Sequence, residues 1–280
     1  MIFLNKTNYT DCADGTQNNN LVLGFGDKSI DFQTKNTKAR FDLIKQIRLN
    51  EHIEDENYFN IAELNQVHGN AVISVEEHDA KKFSKKIIDA DGIFTSLKHY
   101  LLCIKTADCI PLLFYDKISG TIGTVHCGWR GLYNDILINS ADMLKHRYNA
   151  NIEKVAVVIG PGICKHCYTV KEDLREKFIN KDINYKNYFA AKYADAENDN
   201  CAYGNELNSG NSANSAINDA IGSMEYLFDL KGLIKYVLFA SGFRKENIRD
   251  MNLCTYENED YFSYRKNKTA SRFVSFIGKL

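Results

Sequence analysis

The chain is short of several things, and each shortage narrows what it can be. Charge of either sign in excess is missing: 35 Lys and Arg stand against 36 Asp and Glu in 280 residues. A formal charge of -1 gives no general attraction to nucleic acid or to an anionic membrane, so neither is an expected partner. Long apolar runs are missing too, since none approaches the ~20 residues that cross a bilayer. Met1-Ile2-Phe3-Leu4-Asn5-Lys6 has no basic region leading into a sustained apolar segment. A soluble, cytoplasmic protein is therefore expected. Only two prolines occur, Pro111 and Pro161, so loops must be read from glycine, Asn and Asp. No internal repeat or heptad is apparent, which argues against solenoids and coiled coils.

What is present suits one large domain over residues 1–280, because 44% hydrophobic and 12% aromatic residues can bury a substantial core. The eight cysteines (12, 103, 109, 127, 164, 167, 201 and 254) are scattered and form no compact secreted framework. Leu21 to Asp27 reads as a strand entering a glycine turn, and Lys38 to Leu49 as a helix whose apolar face is Phe41, Ile44 and Ile47, with Leu43. Strands are expected at Ile61–Leu64, Ala71–Val75, Tyr100–Lys105, Ile110–Tyr115, Thr121–His126 and Lys154–Gly160, with Asp89–Thr95 a turn feeding a strand. Asn134 is the expected cap of a helix reaching Tyr148, with Ile136, Leu137, Ala141, Leu144 and Tyr148 as its core stripe. Residues from about 180 to 219 are rich in Asn, Ala, Asp and Ser without apolar period, and read as a surface insertion. An amphipathic helix is expected from Leu227 to Leu238, stopped near Gly242, before a last strand near Arg272 to Ile277.

The densest chemistry lies in Thr121-Ile122-Gly123-Thr124-Val125-His126-Cys127-Gly128-Trp129-Arg130-Gly131, where an imidazole, a thiol, the single Trp and an Arg crowd a strand-to-helix joint. His68, Cys109 and His126 each stand at the end of an apolar strand, so one sheet rim could gather them. Two imidazoles and a thiolate suit Zn²⁺ with a fourth position open. The same three could also be separate core or loop residues, or Cys109 and His126 a metal-free nucleophile and base. Arg130 either closes a turn or binds an anion, and Arg265 beside Tyr264 has the same two readings. Asn65 and Gln66 carry amides that can read a base or sugar, or bond backbone. Cys164-Lys165-His166-Cys167 has metal-like spacing but no evident partner pair, and ordinary thiols are expected there. Gly160-Pro161-Gly162 lacks a following Gly-Lys-Ser/Thr and reads as a turn.

Seven motifs, in order across nearly the whole chain, resemble the YfiH-type proteins. This is the laccase-domain or multicopper polyphenol oxidase family, which includes purine nucleoside phosphorylases and a peptidoglycan editing factor. The motifs are Asn65-Gln66-Val67-His68-Gly69, Asp89-Ala90-Asp91-Gly92, Thr106-Ala107-Asp108-Cys109-Ile110-Pro111, His126-Cys127-Gly128-Trp129-Arg130-Gly131, Ile159-Gly160-Pro161-Gly162-Ile163, Asn252-Leu253-Cys254-Thr255 and Phe262-Ser263-Tyr264-Arg265. Departures are Cys127 for the family's usual Ala, Lys266 for a second Arg, Ala270-Ser271-Arg272 for Gly-Arg, and Phe25-Gly26-Asp27-Lys28 for an Arg- and Gly-rich turn.

The resemblance implies an α/β (α+β) fold, a single-domain layered sandwich of mixed sheets flanked by helices. It places zinc ligands on His68, Cys109 and His126, and implies phosphorolysis of adenosine, inosine, guanosine and 5′-methylthioadenosine with hydrolytic deamination of adenosine. Cys109, His126, Arg130 and Arg265 are then the expected catalytic residues, and Asn65 and Gln66 the substrate-binding ones. Purine nucleosides and phosphate are the expected partners, and a monomer would suffice. Copper with phenol oxidation, and editing of cell-wall precursors, are the alternatives. The chain's seven histidines (52, 68, 78, 99, 126, 146 and 166), without His-x-His clustering, are few for a multicopper centre.

Overall fold

A computed structural model describes residues 2–3, 21–33, 37–51, 60–76, 88–192 and 224–279. Its strands, in chain order, are β1 (Ile2–Phe3), β2 (Leu21–Phe25), β3 (Asn60–Asn65), β4 (Val72–Ser74), β5 (Ile88–Asp89), β6 (Gly92–Thr95), β7 (Tyr100–Thr106) and β8 (Ile110–Asp116). They continue with β9 (Thr121–Cys127), β10 (Ala156–Ile159), β11 (Thr169–Lys171), β12 (Phe189–Ala191), β13 (Glu225–Phe228), β14 (Ile248–Asp250) and β15 (Phe273–Lys279). The α-helices are α1 (Thr37–Glu51), α2 (Trp129–Tyr133), α3 (Ile136–Asp142), α4 (Glu172–Lys181), α5 (Leu230–Ala240) and α6 (Tyr264–Asn267). Contacts divide the chain into a unit of Met1–Ile163 with Ile234–Leu280, and a second of Cys164–Leu233.

The first unit holds two mixed sheets, ordered β1-β2-β15-β7-β3-β5 and β14-β10-β8-β9-β6-β4. Their facing sides share one core, in which Leu23, Phe25, Leu64, Leu102 and Ile277 from one sheet meet Ile93, Leu113, Ile122 and Val158 from the other. On the outer face of the first sheet, Ala39, Leu43 and Ile47 of α1 bury against Val22, Leu101, Cys103, Val274 and Phe276. The layered sandwich of mixed sheets flanked by helices is thus found as expected. The apolar face of α1 is corrected: Phe41 is 70% exposed. At about 100° per residue it lies roughly 200° from Leu43, nearly opposite the stripe that i, i+4, i+8 spacing sends inward.

The helix expected from Asn134 to Tyr148 is one short helix, α3, continued by a π-helical turn, Met143–Arg147, while α2 ends just ahead of it at Tyr133. Asp135, at φ +69°, separates α2 from α3, and Asn134 ends α2 instead of capping α3. The predicted stripe survives the break, with Ile136, Leu137, Ala141 and Leu144 buried and the Tyr148 hydroxyl donating to the Phe94 carbonyl at 3.0 Å. In the second unit, β11, β13 and β12 form a sheet whose Phe228 ring stacks on Phe189 at 4.3 Å. Leu227 belongs to β13, so the following helix starts at Leu230; Gly242, at φ +102°, lies just past its end. Of the expected insertion at 180–219, residues 180–192 complete α4 and form a 3-10 turn and β12, while 193–219 lie outside the described residues.

No helix among the described residues is long and apolar enough to cross a membrane. One largely buried charge cluster ties α1 to the first sheet. Arg40 grips the Glu63 carboxylate with two nitrogens, and Lys105 Nζ reaches the same carboxylate at 3.3 Å. Glu63 and Lys105 side chains are each 8% exposed.

Candidate metal centre

Three chain segments meet at one rim of the first unit. The first leaves β3 as Gln66-Val67-His68-Gly69, with His68 at φ +60°. Gln66 extends the β3–β7 pairing with its side chain: its Oε1 accepts the Lys105 N–H at 2.8 Å and its Nε2 donates to the Lys105 carbonyl at 2.7 Å. The far side of the loop is pinned by Asn70, whose amide donates to the Asn134 carbonyl at 2.6 Å and whose carbonyl accepts from Asn139 at 2.9 Å. The second segment is the β7–β8 turn carrying Cys109, and the third is β9, where His126 lies opposite Pro111 of β8.

These segments bring His68, Cys109 and His126 together, with their ligand atoms all within 4.8 Å of one another. The imidazoles stand edge to face, centroids 4.8 Å apart and planes at 79°. Exposure is graded: His68 is exposed, Cys109 half-buried and His126 buried. Gly128 backs directly onto the thiol, for a Cβ there would stand 2.9 Å from Cys109 Sγ and 3.5 Å from His68 Cδ2. Glycine at 128 is a requirement of close approach.

One carboxylate organises two of the three arms. Asp91, fully buried, accepts from the backbone N–H groups of Val67, His68 and Gly69 at 3.2, 3.0 and 2.7 Å. It also bonds His126 Nδ1 at 2.7 Å, while its carbonyl accepts the His126 N–H at 2.7 Å. With Nδ1 so engaged, Nε2 is the nitrogen turned to the shared space.

Burial alone would push the Cys109 thiol up, yet the charge of His126 and hydrogen bonds from His126 and His68 bring it down to about 6. Burial works the other way on His126, but the Cys109 thiolate and Asp91 outweigh it and raise the imidazole to about 9. Without a metal the two groups form an imidazolium–thiolate pair; a metal would take the thiolate as it stands and displace the imidazole proton, and two imidazoles with a thiolate are a donor set that suits Zn²⁺ with a further position open. Cys127, fully buried, is pushed up by burial and then by the charges of Cys109 and Asp91, and stays a neutral thiol.

The other expected site residues take varied positions. Arg130 is exposed at the start of α2 and lies 4.8 Å from the Trp129 ring centroid; among the described residues no carboxylate pairs with it. Arg265 is half-buried in α6. Asn65 is exposed at the end of β3, donating to Asp89 Oδ1 at 2.7 Å. The Gln66 amide is spent on Lys105, which gives that side chain the task of fixing the loop. Asp91 was legible in the sequence only as part of a turn. Its further signal is its place in the motif Asp89-Ala90-Asp91-Gly92, directly before β6.

Asp91→Asn keeps an acceptor for the loop but loses the charge facing His126. Zinc affinity is expected to fall about 10–100-fold, measured by chelator competition; an unchanged affinity would show that Asp91 does not support the ligands.

A family model described as multi-copper polyphenol oxidoreductase laccase matches residues 25–279. Purine nucleoside phosphorylase RP494 of Rickettsia prowazekii is 29% identical over 213 residues, covering 75% of this chain and 73% of the relative. Purine nucleoside phosphorylase SERP0752 of Staphylococcus epidermidis is 30% identical over 220 residues, covering 76% and 71%. In three dimensions the hypothetical protein YfiH of Bacillus licheniformis superposes with a TM-score of 0.70 at 21% identity, covering 93% of both chains.

Proposed function

The chain belongs to the multi-copper polyphenol oxidoreductase laccase family, and from that premise we propose that it is a zinc-dependent purine nucleoside enzyme. The observation that carries this reading is the set of His68, Cys109 and His126, whose donor atoms lie within 4.8 Å of one another. Relatives named purine nucleoside phosphorylase supply the substrate class. The reactions proposed are phosphorolysis of adenosine, inosine, guanosine and 5′-methylthioadenosine, and hydrolytic deamination of adenosine. In phosphorolysis the N-glycosidic bond breaks, a phosphate oxygen bonds C1′, and the base leaves with the electron pair and a proton.

Zinc, when bound, supplies a Lewis acid that polarises a substrate oxygen or lowers the pKa of water. The protein supplies the rest. His68, Cys109 and His126 hold the ion, and Asp91 fixes the tautomer and direction of His126. Arg130, propped on Trp129, and Arg265 offer guanidinium groups to phosphate or to developing negative charge. Asn65 stands at the rim to orient the nucleoside, while Gln66 anchors the His68 arm. Cys103, Cys109 and Cys127 are free thiols, which suits a reducing, cytoplasmic setting. Copper chemistry is the weaker reading, because His68 and His126 are the only histidines in a candidate ligand group among the described residues.

Incubation with adenosine and phosphate should give adenine and ribose 1-phosphate, incubation without phosphate inosine and ammonia, and metal analysis one zinc per chain. Absence of product from all four nucleosides, or copper content with oxygen uptake on phenols, would overturn the proposal.

A further inference from the structure

Beside the metal ligands, on the β7–β8 turn, stands a carboxylate to which the reading above gives no task. Asp108 adopts φ +90°, a left-handed conformation that few residues other than glycine, Asn and Asp accept. Its backbone carbonyl takes the Ile163 N–H at 2.9 Å, which fixes the turn from below. Both carboxylate oxygens are engaged with a part of the chain some 150 residues away in sequence. Oδ1 accepts the Thr255 hydroxyl at 2.7 Å and Oδ2 accepts the Arg265 backbone N–H at 2.5 Å.

Both partners are themselves held. Thr255 is 1% exposed, and its N–H reaches the Gly162 carbonyl at 3.3 Å, next to the bridge between Gly162 and Cys254. Arg265 is the second residue of the four-residue α6, whose N-cap Ser263 has a hydroxyl that accepts the Lys266 N–H at 3.2 Å. So short a helix, closing barely one turn, depends on tertiary contacts to hold its place. Asp108 is the group that ties its first turn to the residue preceding Cys109.

We propose that Asp108 is a positioning residue, which sets Arg265 against the Cys109 end of the metal centre so that its guanidinium meets the phosphate co-substrate. The inference rests on the phosphorolysis reading, but inorganic phosphate binding tests it separately from turnover. Asp108→Asn is the suitable variant, because Asn also accepts the left-handed backbone while only one of its two side-chain heavy atoms can still accept a hydrogen bond.

The full chain, loaded with zinc, would be compared as wild type, Asp108→Asn, Arg265→Ala and the double variant. Zinc content, melting temperature, inorganic phosphate binding by calorimetry, and steady-state kinetics would be measured on each. Asp108→Asn should keep its zinc and weaken phosphate binding on the order of ten-fold, with KM for phosphate rising in step, kcat falling less, and KM for adenosine unmoved. In the Arg265→Ala background the same change should do nothing further to phosphate binding, since the two act as one unit. Additive losses in the double variant, unaltered phosphate binding in Asp108→Asn, or loss of zinc would overturn the assignment. If wild type binds phosphate but turns over no nucleoside, the phosphorolysis reading fails while the four phosphate affinities still decide the role of Asp108. If wild type binds no phosphate, both fall.

Discussion

Cys109→Ala is expected to abolish nucleoside turnover and remove the metal in the same step. The thiolate is the one anionic donor of the His68–Cys109–His126 set, and it is half-buried between two imidazoles. Losing it leaves two neutral nitrogens, one of them exposed, to hold a divalent ion. The cost should exceed the roughly 100-fold that loss of a supporting group produces, so zinc is expected to leave on ordinary dialysis. Cys127→Ala is the control. Its thiol sits on the adjacent residue, fully buried and neutral, and its removal should leave zinc and turnover in place. Turnover by Cys109→Ala within a few-fold of wild type, with zinc retained, would refute the metal centre as described.

The largest expected loss of stability comes from Glu63→Ala. That change leaves the Lys105 ammonium, 8% exposed, and the Arg40 guanidinium, 20% exposed, facing each other without their shared carboxylate. Breaking a buried pair in this way costs about 3–5 kcal/mol, because the stranded charge keeps its desolvation penalty and loses its compensation. For a chain of this size the melting temperature should fall by roughly 10 °C. Replacing Lys105 by Met in the same protein should restore part of the loss, since one unpaired charge is gone. A Glu63→Ala protein that melts with wild type would mean the charges reach water. The Lys105 backbone also receives the Gln66 amide, two residues from His68, so zinc affinity should decline along with stability.

The strands that carry the site were legible because their signals are local. Tyr100–Lys105 and Ile110–Tyr115 are mainly apolar runs and Thr121–His126 is rich in β-branched residues, and each was found within a residue or two of its expected bounds. The ends of those runs located Cys109 and His126 before any contact was known. Long-range geometry was less accessible. Nothing in the sequence neighbourhood of Asp91 says that one carboxylate will serve three backbone N–H groups and an imidazole, because those partners come from segments more than 20 residues away. The break at Asp135 was equally hidden: the apolar stripe from Ile136 to Leu144 keeps its period and gives no warning of the left-handed residue just ahead of it. Gln66 shows a further limit, for an amide that can read a base is chemically the same as one that completes a sheet edge.

The unequal exposure of the three ligands also has a kinetic meaning. His126 is walled in and Cys109 is half-covered, with Gly128 pressed behind the sulfur, so His68 is the ligand nearest the solvent. An ion held by these three residues would be released through His68 first and, by reversal, would engage it last. Release requires the His68 loop to swing, and three of that loop's N–H groups hang on the Asp91 carboxylate that also grips His126. Residence time of such an ion, as distinct from equilibrium occupancy, would therefore be governed by how often the three loop hydrogen bonds to a single side chain let go.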